Sequence, residues 1–419
     1  MEKHMNKNIK LAVAGAVLAL SASAANAGII IPAGDWTLDI SGNVNTFATW
    51  TKFSGDLRNS GDSAGFTNNS WQKTQSNLTT GLLPNYLSVG GSTRQNDLDV
   101  AFLISINPGS STTSGGKQSA HQENRQAYLT FGDKSWGSIK VGKDLGIFAS
   151  DAILNDMTLL GVGSGAGALA GNTTTLGHIG AGYIYADWKS QIAYTTPNFS
   201  GFQATVGIAQ GFNSNDPYNP DDGGGSVYPN SYGRSGAGYA YEGKASYSFA
   251  ANDMTGKVWV SGIYQTVKDV HVSSGNNRSN HGEAADIGAT VNVAGFGLTG
   301  YYYAGQGIGS GIQFNNGHEY GYGKSRDSDG GYVQVTYVLP TKTKVGVSYG
   351  ISNLDPASSY DYDMYRTNEK KLTTVGAYHP LTKHLNLVAE YDHEQVINGW
   401  NSSGQGTANT VSLGAILFF

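Results

Sequence analysis

The chain has 419 residues, with 26 Lys and Arg against 31 Asp and Glu, a formal net charge of −5 that argues against a generic nucleic-acid binder. It contains no Cys, which excludes a disulfide scaffold, a thiolate zinc centre and an iron–sulfur cluster; charged residues make up only 14%, well below the share in a soluble globular domain. With 59 Gly, 25 Tyr and a mean hydropathy of −0.29, the apolar residues are spread too thinly for a bundle of membrane helices.

Lys3, Lys7 and Lys10 precede an apolar run from Leu11 to Ser21, and Ala25-Asn26-Ala27 places small residues before a cleavage point at Gly28. This pattern predicts a signal peptide over 1–27, and hence export, with one domain over 28–419. Eleven apolar residues fall short of the roughly 20 that a spanning helix needs, and no later stretch reaches 18.

Beyond Gly28 the dominant period is two, in segments of about ten residues, the length of a tilted strand that crosses a bilayer. In Asp97 to Asn107, Leu98, Val100, Phe102, Ile104 and Ile106 form one continuous apolar face. In Trp36 to Trp50, Trp36, Leu38, Ile40, Val44 and Ala48 alternate with Asp39, Ser41, Asn43, Asn45 and Thr49. Trp36 and Trp50 lie fourteen residues apart, roughly 33 Å at ~3.3 Å per residue and ~45° tilt, the spacing of two interfacial aromatic girdles.

Sixteen such segments are expected, approximately 36–50, 85–92, 96–107, 123–132, 136–144, 187–196, 201–210, 240–249, 256–267, 284–293, 296–306, 331–339, 343–352, 370–379, 385–395 and 407–419. Gly90 and Gly91 blur the alternation in the second, which leaves fourteen and eighteen open. Short connections alternate with long polar or Gly-rich ones, among them 51–84, 145–186, 211–239 and 307–330. The fold class is therefore all-β: a closed transmembrane antiparallel barrel with turns on one side of the outer membrane and long loops on the other. Val411, Leu413, Ala415, Leu417 and Phe419 alternate in the final segment, a pattern a soluble sandwich would rarely show.

Arg125-Gln126-Ala127-Tyr128-Leu129-Thr130-Phe131-Gly132, followed by Trp136-Gly137-Ser138-Ile139-Lys140-Val141-Gly142-Lys143, resembles the fourth-to-fifth strand hairpin of Gram-negative general porins. Tyr194-Thr195-Thr196-Pro197-Asn198-Phe199-Ser200-Gly201-Phe202 is similar to that family's sixth-to-seventh strand turn, and Phe419 to its outer-membrane assembly signal. The resemblance implies a sixteen-stranded barrel, usually a homotrimer seated in outer-membrane lipid and lipopolysaccharide, with an aqueous pore for ions and small polar solutes. It also implies that the third long loop, 145–186, folds into the lumen and sets carboxylates against basic wall residues. Asp151 and Asp156 are the early acids of that loop, although the family's Pro-Glu-Phe-Gly stretch is replaced by Gly161, Gly163, Gly165, Gly167 and Gly171.

On the basic side the resemblance carries over Arg125 and Lys143, and more loosely His178 and Lys189. Parity sets Arg125 on the face of Ala127 and Leu129, toward lipid, whereas Tyr128 allows the opposite register; the wall reading is preferred because an outward Arg at mid-depth would cost ~2–4 kcal/mol. Lys140, flanked by Ile139 and Val141, faces the lumen. Parity adds Lys189, Lys244, Lys257 and Lys344 against Asp39, Asp97, Asp99, Asp144, Asp286 and Glu390, a nearly balanced wall that predicts weak selectivity tilted to cations by the net negative charge.

Neither an enzyme nor a cofactor is indicated. The His residues are scattered without metalloprotease spacing, and Gly161 to Gly167 lacks the Lys and Ser/Thr of a phosphate loop, so it is read as a flexible segment. No metal site is assigned, and surface Ca²⁺ at Asp327-Ser328-Asp329-Gly330 or Asp221-Asp222 is a minor alternative to ordinary turns. The expected function is passive diffusion through a porin. The alternatives are a substrate-selective channel, with Tyr301, Tyr302 and Tyr303 as a stacking track, and a surface adhesin anchored by its barrel.

Overall fold

A computed structural model describes residues 28–55, 61–62, 66–67, 73–111, 123–165, 174–211, 238–270, 278–314, 316–319, 323–359, 366–399 and 404–419. The expected signal peptide, Gly167, Gly171 and Asp221-Asp222 lie outside the described residues.

β1 (Ile29–Ala33) forms a hairpin with β2 (Trp36–Gly55), and β3 (Gly61–Asp62) pairs with β4 (Phe66–Thr67) in a separate small ribbon. β5 (Thr74–Thr79) and β6 (Tyr86–Gln95) follow, then β7 (Leu98–Ile106), β8 (Ala127–Asp133), β9 (Gly137–Leu145), β10 (Trp188–Thr195), β11 (Phe202–Gln210), β12 (Tyr239–Ala251) and β13 (Met254–Val270). The circuit continues through β14 (Arg278–Val293), β15 (Phe296–Gln306), β16 (Asp327–Val338), β17 (Lys344–Leu354), β18 (Arg366–Pro380), β19 (Leu385–Gly399) and β20 (Gly404–Phe418). Each strand from β6 to β20 pairs antiparallel with the next, and β20 returns to β2 from Asn43↔Phe418 to Gly55↔Gly406. The wall is a closed sixteen-stranded barrel, and β1 and β5 are two extra strands.

Closure follows from the alternation. Val44, Ile104, Leu129, Val141, Ile192, Val206, Val260, Ile287, Val335, Val347, Val375 and Leu413 are exposed on the outer face, where apolar side chains satisfy a lipid solvent. Trp50 is exposed on that face, and the ring of Trp36 rests 5.7 Å from Phe102. Exposed Tyr239, Tyr241 and Tyr264 mark the long-loop side, and Phe199, Phe202, Tyr247 and Phe296 the short-turn side. Phe419 exchanges backbone hydrogen bonds with Gly42, at 2.8 and 3.0 Å.

The second wall position is broken. β5 pairs with the upper part of β2 (Phe47–Lys52), β6 with the lower part (Thr37–Asn43), and residues 80–85 step into the lumen between them. Pro84 cannot donate to a ladder, so side-chain amides replace the missing bonds. Asn43 Nδ2 donates to the Pro84 carbonyl (2.9 Å), Asn45 Nδ2 to that of Leu83 (3.0 Å), and the Gly81 amide donates to Asn45 Oδ1 (2.9 Å). A side chain at Gly81 would strike the Gly161 carbonyl and the Phe47 ring.

Three expectations change here. Asn96 and Asp97 both have positive φ (48° and 63°) and form the two-residue β6–β7 turn, so Asp97 is a turn residue and not a wall charge. Asp99 sits beside that turn, paired with the half-exposed Arg94 at 2.7 Å. Asp327 and Asp329 lie within β16 and not in a turn, with Asp327 accepting a bond from Gln306 (2.7 Å).

Candidate functional site

The barrel's apolar core lies in the lumen, where residues 147–165 and 174–186 of the third long loop pack against the inner wall. Phe148, Ala152, Ile179, Tyr183 and Ile184 of the loop are buried against Trp259, Tyr301, Tyr303 and Tyr332 of β13, β15 and β16. Tyr301 and Tyr303 are thus sealed beneath the loop and Tyr302 faces outward, so these three do not form a solute track.

The loop begins with Glu242 of β12, whose Oε2 accepts the Ile147 and Phe148 amides at 2.7 and 2.9 Å while Oε1 pairs with Lys189 of β10 at 2.5 Å. The Ala149 amide donates to Ser261 of β13 at 3.2 Å. A short helix, α1 (Ser150–Asn155), then presents Asp151 to two lysines of adjacent strands. Lys244 lies 3.0 Å from one carboxylate oxygen, and Lys257 contacts the other. Burial works against the charged form of Asp151, but the two ammoniums outweigh it and hold its carboxyl below the usual carboxylate range.

Farther along, Tyr332 donates to the Ala152 carbonyl (2.8 Å), and Gln334 of β16 both accepts from the Met157 amide (2.9 Å) and donates to the Asn155 carbonyl (2.7 Å). Asp156 has no exposed side-chain surface. It caps the 3₁₀ turn Met157–Leu160 through the Thr158 amide and accepts from the His178 amide and the Tyr183 hydroxyl. Burial opposes its charge, but the His178 ring and the Thr158 bond prevail and keep its carboxyl low. Asp156 is a hub within the loop and does not border an open passage. His178 likewise belongs to the loop and reaches Ser348 of β17 at 3.2 Å, so it is not a wall residue.

At the tip, Glu390 of β19 accepts the Val162 and Gly163 amides at 2.6 and 3.1 Å and the Tyr378 hydroxyl at 2.6 Å. Glu394 accepts the Ser164 hydroxyl at 2.6 Å. The glycines here are packing devices, not hinges: a Cβ on Gly161 would lie 2.0 Å from Glu390 Oε1, and Gly163 (φ 60°) meets Gly177. The tip then touches residues 80–85 through bonds from the Leu82 amide to the Gly161 carbonyl and from the Thr175 amide to that of Gly81.

Arg125 is buried, its Nε 2.6 Å from Glu123 and its guanidinium 5.8 Å from the centre of the Trp188 ring. Ile104 pairs with Ala127 but Asn107 with Glu123, so three steps on one strand meet four on the other. This bulge falls at residues 124 and 125, just before β8, so strict alternation does not fix the direction of Arg125. Lys140 faces inward, contacting Asp144 and lying 4.8 Å from the Tyr128 ring. Lys143 is a correction. It is paired with the exposed Ala127 and Ser190, shares their outer face, and donates to the Asn124 carbonyl at 2.9 Å. Of the inward lysines, Lys140, Lys244 and Lys257 keep 23, 24 and 30% of their side-chain surface, enough to meet a passing ion, whereas Lys189 keeps none.

Residues 307–314, 316–319 and 323–326 also fold inward, which alternation alone does not predict. Gln313 accepts from Lys189 at 2.5 Å and donates to the Tyr185 carbonyl at 2.9 Å, and Ile308 and Phe314 are fully buried. Two buried apolar residues in a Gly-rich polar loop were the available signal. Near the mouth, burial pushes the His318 imidazole down to about 4. Glu242, Ser261 and Gln334 were also missed, although inward parity beside Lys244 and Lys257 would have found them.

A closed sixteen-stranded wall with a loop lashed across its lumen can pass small solutes and offers no reacting constellation among the described residues. The Gram-negative porin family profile matches residues 13–396. The chain belongs to the Gram-negative porins. It is an outer-membrane channel for passive diffusion of solutes. No curated protein sequence matches it. Among solved structures this porin resembles the outer membrane channel DcaP of Acinetobacter baumannii, with TM-score 0.63 and 16% identity over 94% of this chain and 100% of that one. It also resembles the anion-selective porin of Comamonas acidovorans, with TM-score 0.58 and 15% identity over 92% and 100%. A trimer form of OmpT from Vibrio cholerae gives TM-score 0.54 and 14% identity over 92% and 99%. At these identities the likeness speaks to fold alone.

Proposed function

We propose that this porin is a homotrimeric, weakly selective general channel for ions and small hydrophilic solutes, exported through a signal peptide over 1–27 and seated among lipid and lipopolysaccharide. The observation that carries the reading is the charge arrangement at the inner wall: the partly exposed Lys140, Lys244 and Lys257 each already neighbour a carboxylate, Asp144 or Asp151. With Asp151 shared by Lys244 and Lys257, three ammoniums meet two carboxylates, and a wall so nearly balanced presents little net field to a permeating ion. Asp151 acts from the loop and Lys140, Lys244 and Lys257 from the wall. The trimer is supported by the OmpT form, and the barrel is read as a channel without catalytic activity.

Single-channel recording in a planar bilayer under a salt gradient tests this. Ohmic steps in groups of three with a reversal potential near zero are expected; a strongly ion-selective current overturns weak selectivity. A second reading, a substrate-selective channel, is favoured by the intrusion of residues 80–85 and 307–314 beside the third loop. Saturable block by one solute would establish it.

A further inference from the structure

We infer that Asp39 of β2 receives the chain's new amino terminus: once the leader over 1–27 is removed, the α-ammonium of Gly28 pairs with the Asp39 carboxylate and fastens β1 to the seam where the barrel closes. The inference rests on the export reading above, because it needs cleavage before Gly28. The register brings the two ends of the chain together at that seam. β2 meets β6 from Thr37 to Asn43 and β1 from Trp36 to Ile40, so β1 lies on the opposite edge, the one that carries β20. Along this edge Phe419 exchanges backbone hydrogen bonds with Gly42, and Ile29 opposes Ile40. One place remains between them, opposite Ser41, and Gly28 takes it. β1 and β20 both run antiparallel to β2, so the carboxy terminus of one points at the start of the other. Phe419 thus already fills the line from which a leader would arrive.

Three observations at this junction call for a positive charge on Gly28. A Cβ built on Gly28 would lie 2.6 Å from Asp39 Oδ1 and 3.3 Å from Oδ2, so the carboxylate sits over the Gly28 Cα. Standard backbone dimensions then place Oδ1 within about 5 Å of the Gly28 nitrogen, a gap that a side-chain rotation closes. Asp39 Oδ1 is buried and has no hydrogen-bond partner, a condition that a carboxylate oxygen rarely tolerates. Finally, β1 is exposed along all five of its residues, with Ile29 and Ile30 at 54 and 55%, so its burial supplies little hold. A terminal strand of that kind frays unless something ties it down.

The chemistry is a hydrolysis. Water adds across the Ala27–Gly28 peptide bond, Ala27 leaves with the leader as a carboxylate, and the freed amine of Gly28 takes up a proton. Asp39 Oδ1 then gains a charge-assisted N–H donor, the strong class of hydrogen bond. The Phe419 carboxylate, next along the same edge, is the competing acceptor. Glycine suits the first position because any side chain there would push the Asp39 carboxylate aside. Removal of the leader and tying of β1 are therefore one event, and the fastening exists only in the processed chain.

The test is acetylation of the purified, exported channel at neutral pH with an activated ester, read by mass spectrometry of the amino-terminal peptide. The unaltered protein is compared with Asp39→Asn, Gly28→Ala and Asp35→Asn, the last removing an exposed charge from the β1–β2 turn. Only the unprotonated amine reacts, and a carboxylate beside it holds the proton on, so the folded channel should react roughly tenfold or more slowly than the denatured chain. Asp39→Asn and Gly28→Ala should abolish that protection, and Asp35→Asn should keep it. A first residue other than Gly28 overturns the cleavage point and the inference with it. A Gly28 terminus acetylated equally fast in the unaltered protein and Asp39→Asn overturns the inference alone. Protection that survives Asp39→Asn assigns the amine to the Phe419 carboxylate and also overturns it. Should Asp39→Asn fail to assemble, Gly28→Ala leaves every charge in place and carries the same decision.

Discussion

The constricting loop is tied at two ends by opposite chemistry. At its base, on β10, β12 and β13, every carboxylate in the tether meets an ammonium: Glu242 with Lys189, and Asp151 with Lys244 and Lys257. At its tip, Lys370 is paired with Glu394 and Lys344 acts on Glu390 from a distance, while Glu390 grips the loop itself through neutral N–H donors. The base sets two carboxylates against three ammoniums, each carboxylate in direct contact with at least one of them. The tip is held by a carboxylate accepting backbone N–H groups and a tyrosine hydroxyl, and no ammonium touches the loop there.

The strongest way to break the contrast is at the base. Glu242→Ala strands the fully buried Lys189 and two loop amides, at a cost of about 3–5 kcal/mol. Loss of assembled channel, or a markedly lower temperature for heat-induced mobility change on gels, is expected. Glu390→Gln should be milder, because it keeps one acceptor while surrendering charge-assisted bonds worth about 1.5–3 kcal/mol. Its signature is noisy open-channel current with the barrel intact; quiet current would place the tip's anchor elsewhere.

Acid sharpens the same comparison. The Asp151 and Asp156 carboxyls are held below their ordinary value, so the stability they lend is full above the unperturbed range and lost only as pH falls beneath it, through their folded values. Conductance should therefore hold steady from neutrality to about pH 4 and change only below that; a transition near pH 6 would contradict the assignment. Asp151→Asn at neutral pH leaves two part-exposed lysines without their partner, and should move the reversal potential toward anions by an amount on the order of 0.2–1 kcal/mol. Lys143→Gln, on the outer face, should leave both conductance and reversal potential unchanged.

The wall was legible because lipid on one side and polar lumen on the other impose strict alternation, and all sixteen expected segments coincide with wall strands. β1 and β5 were missed for local reasons: Ile29-Ile30-Ile31-Pro32 has no alternation, and Thr74–Thr79 is almost wholly polar. Parity cannot decide Arg125, because a bulge is invisible to a period of two, and it failed at Asp97 because a tight turn ends the period one residue early. The candidate site was less readable. Lys244, Lys257 and Asp151 are individually visible as charges, but their meeting depends on the path of a loop whose long-range packing has no local signature. The inward fold of residues 307–314 is of the same kind.

The spliced second wall position separates two properties that a barrel ordinarily links. Circumference is fixed by strand number, and the asparagine amides of Asn43, Asn45 and Asn85 keep that count whole across the gap at residues 80–85. Residues 80–84 are free of ladder duty, so their path can change without resizing the hoop around them, although Gly81 has no room for a side chain. The bore of this channel can therefore be retuned from its rim inward, like an iris set within a frame of constant diameter.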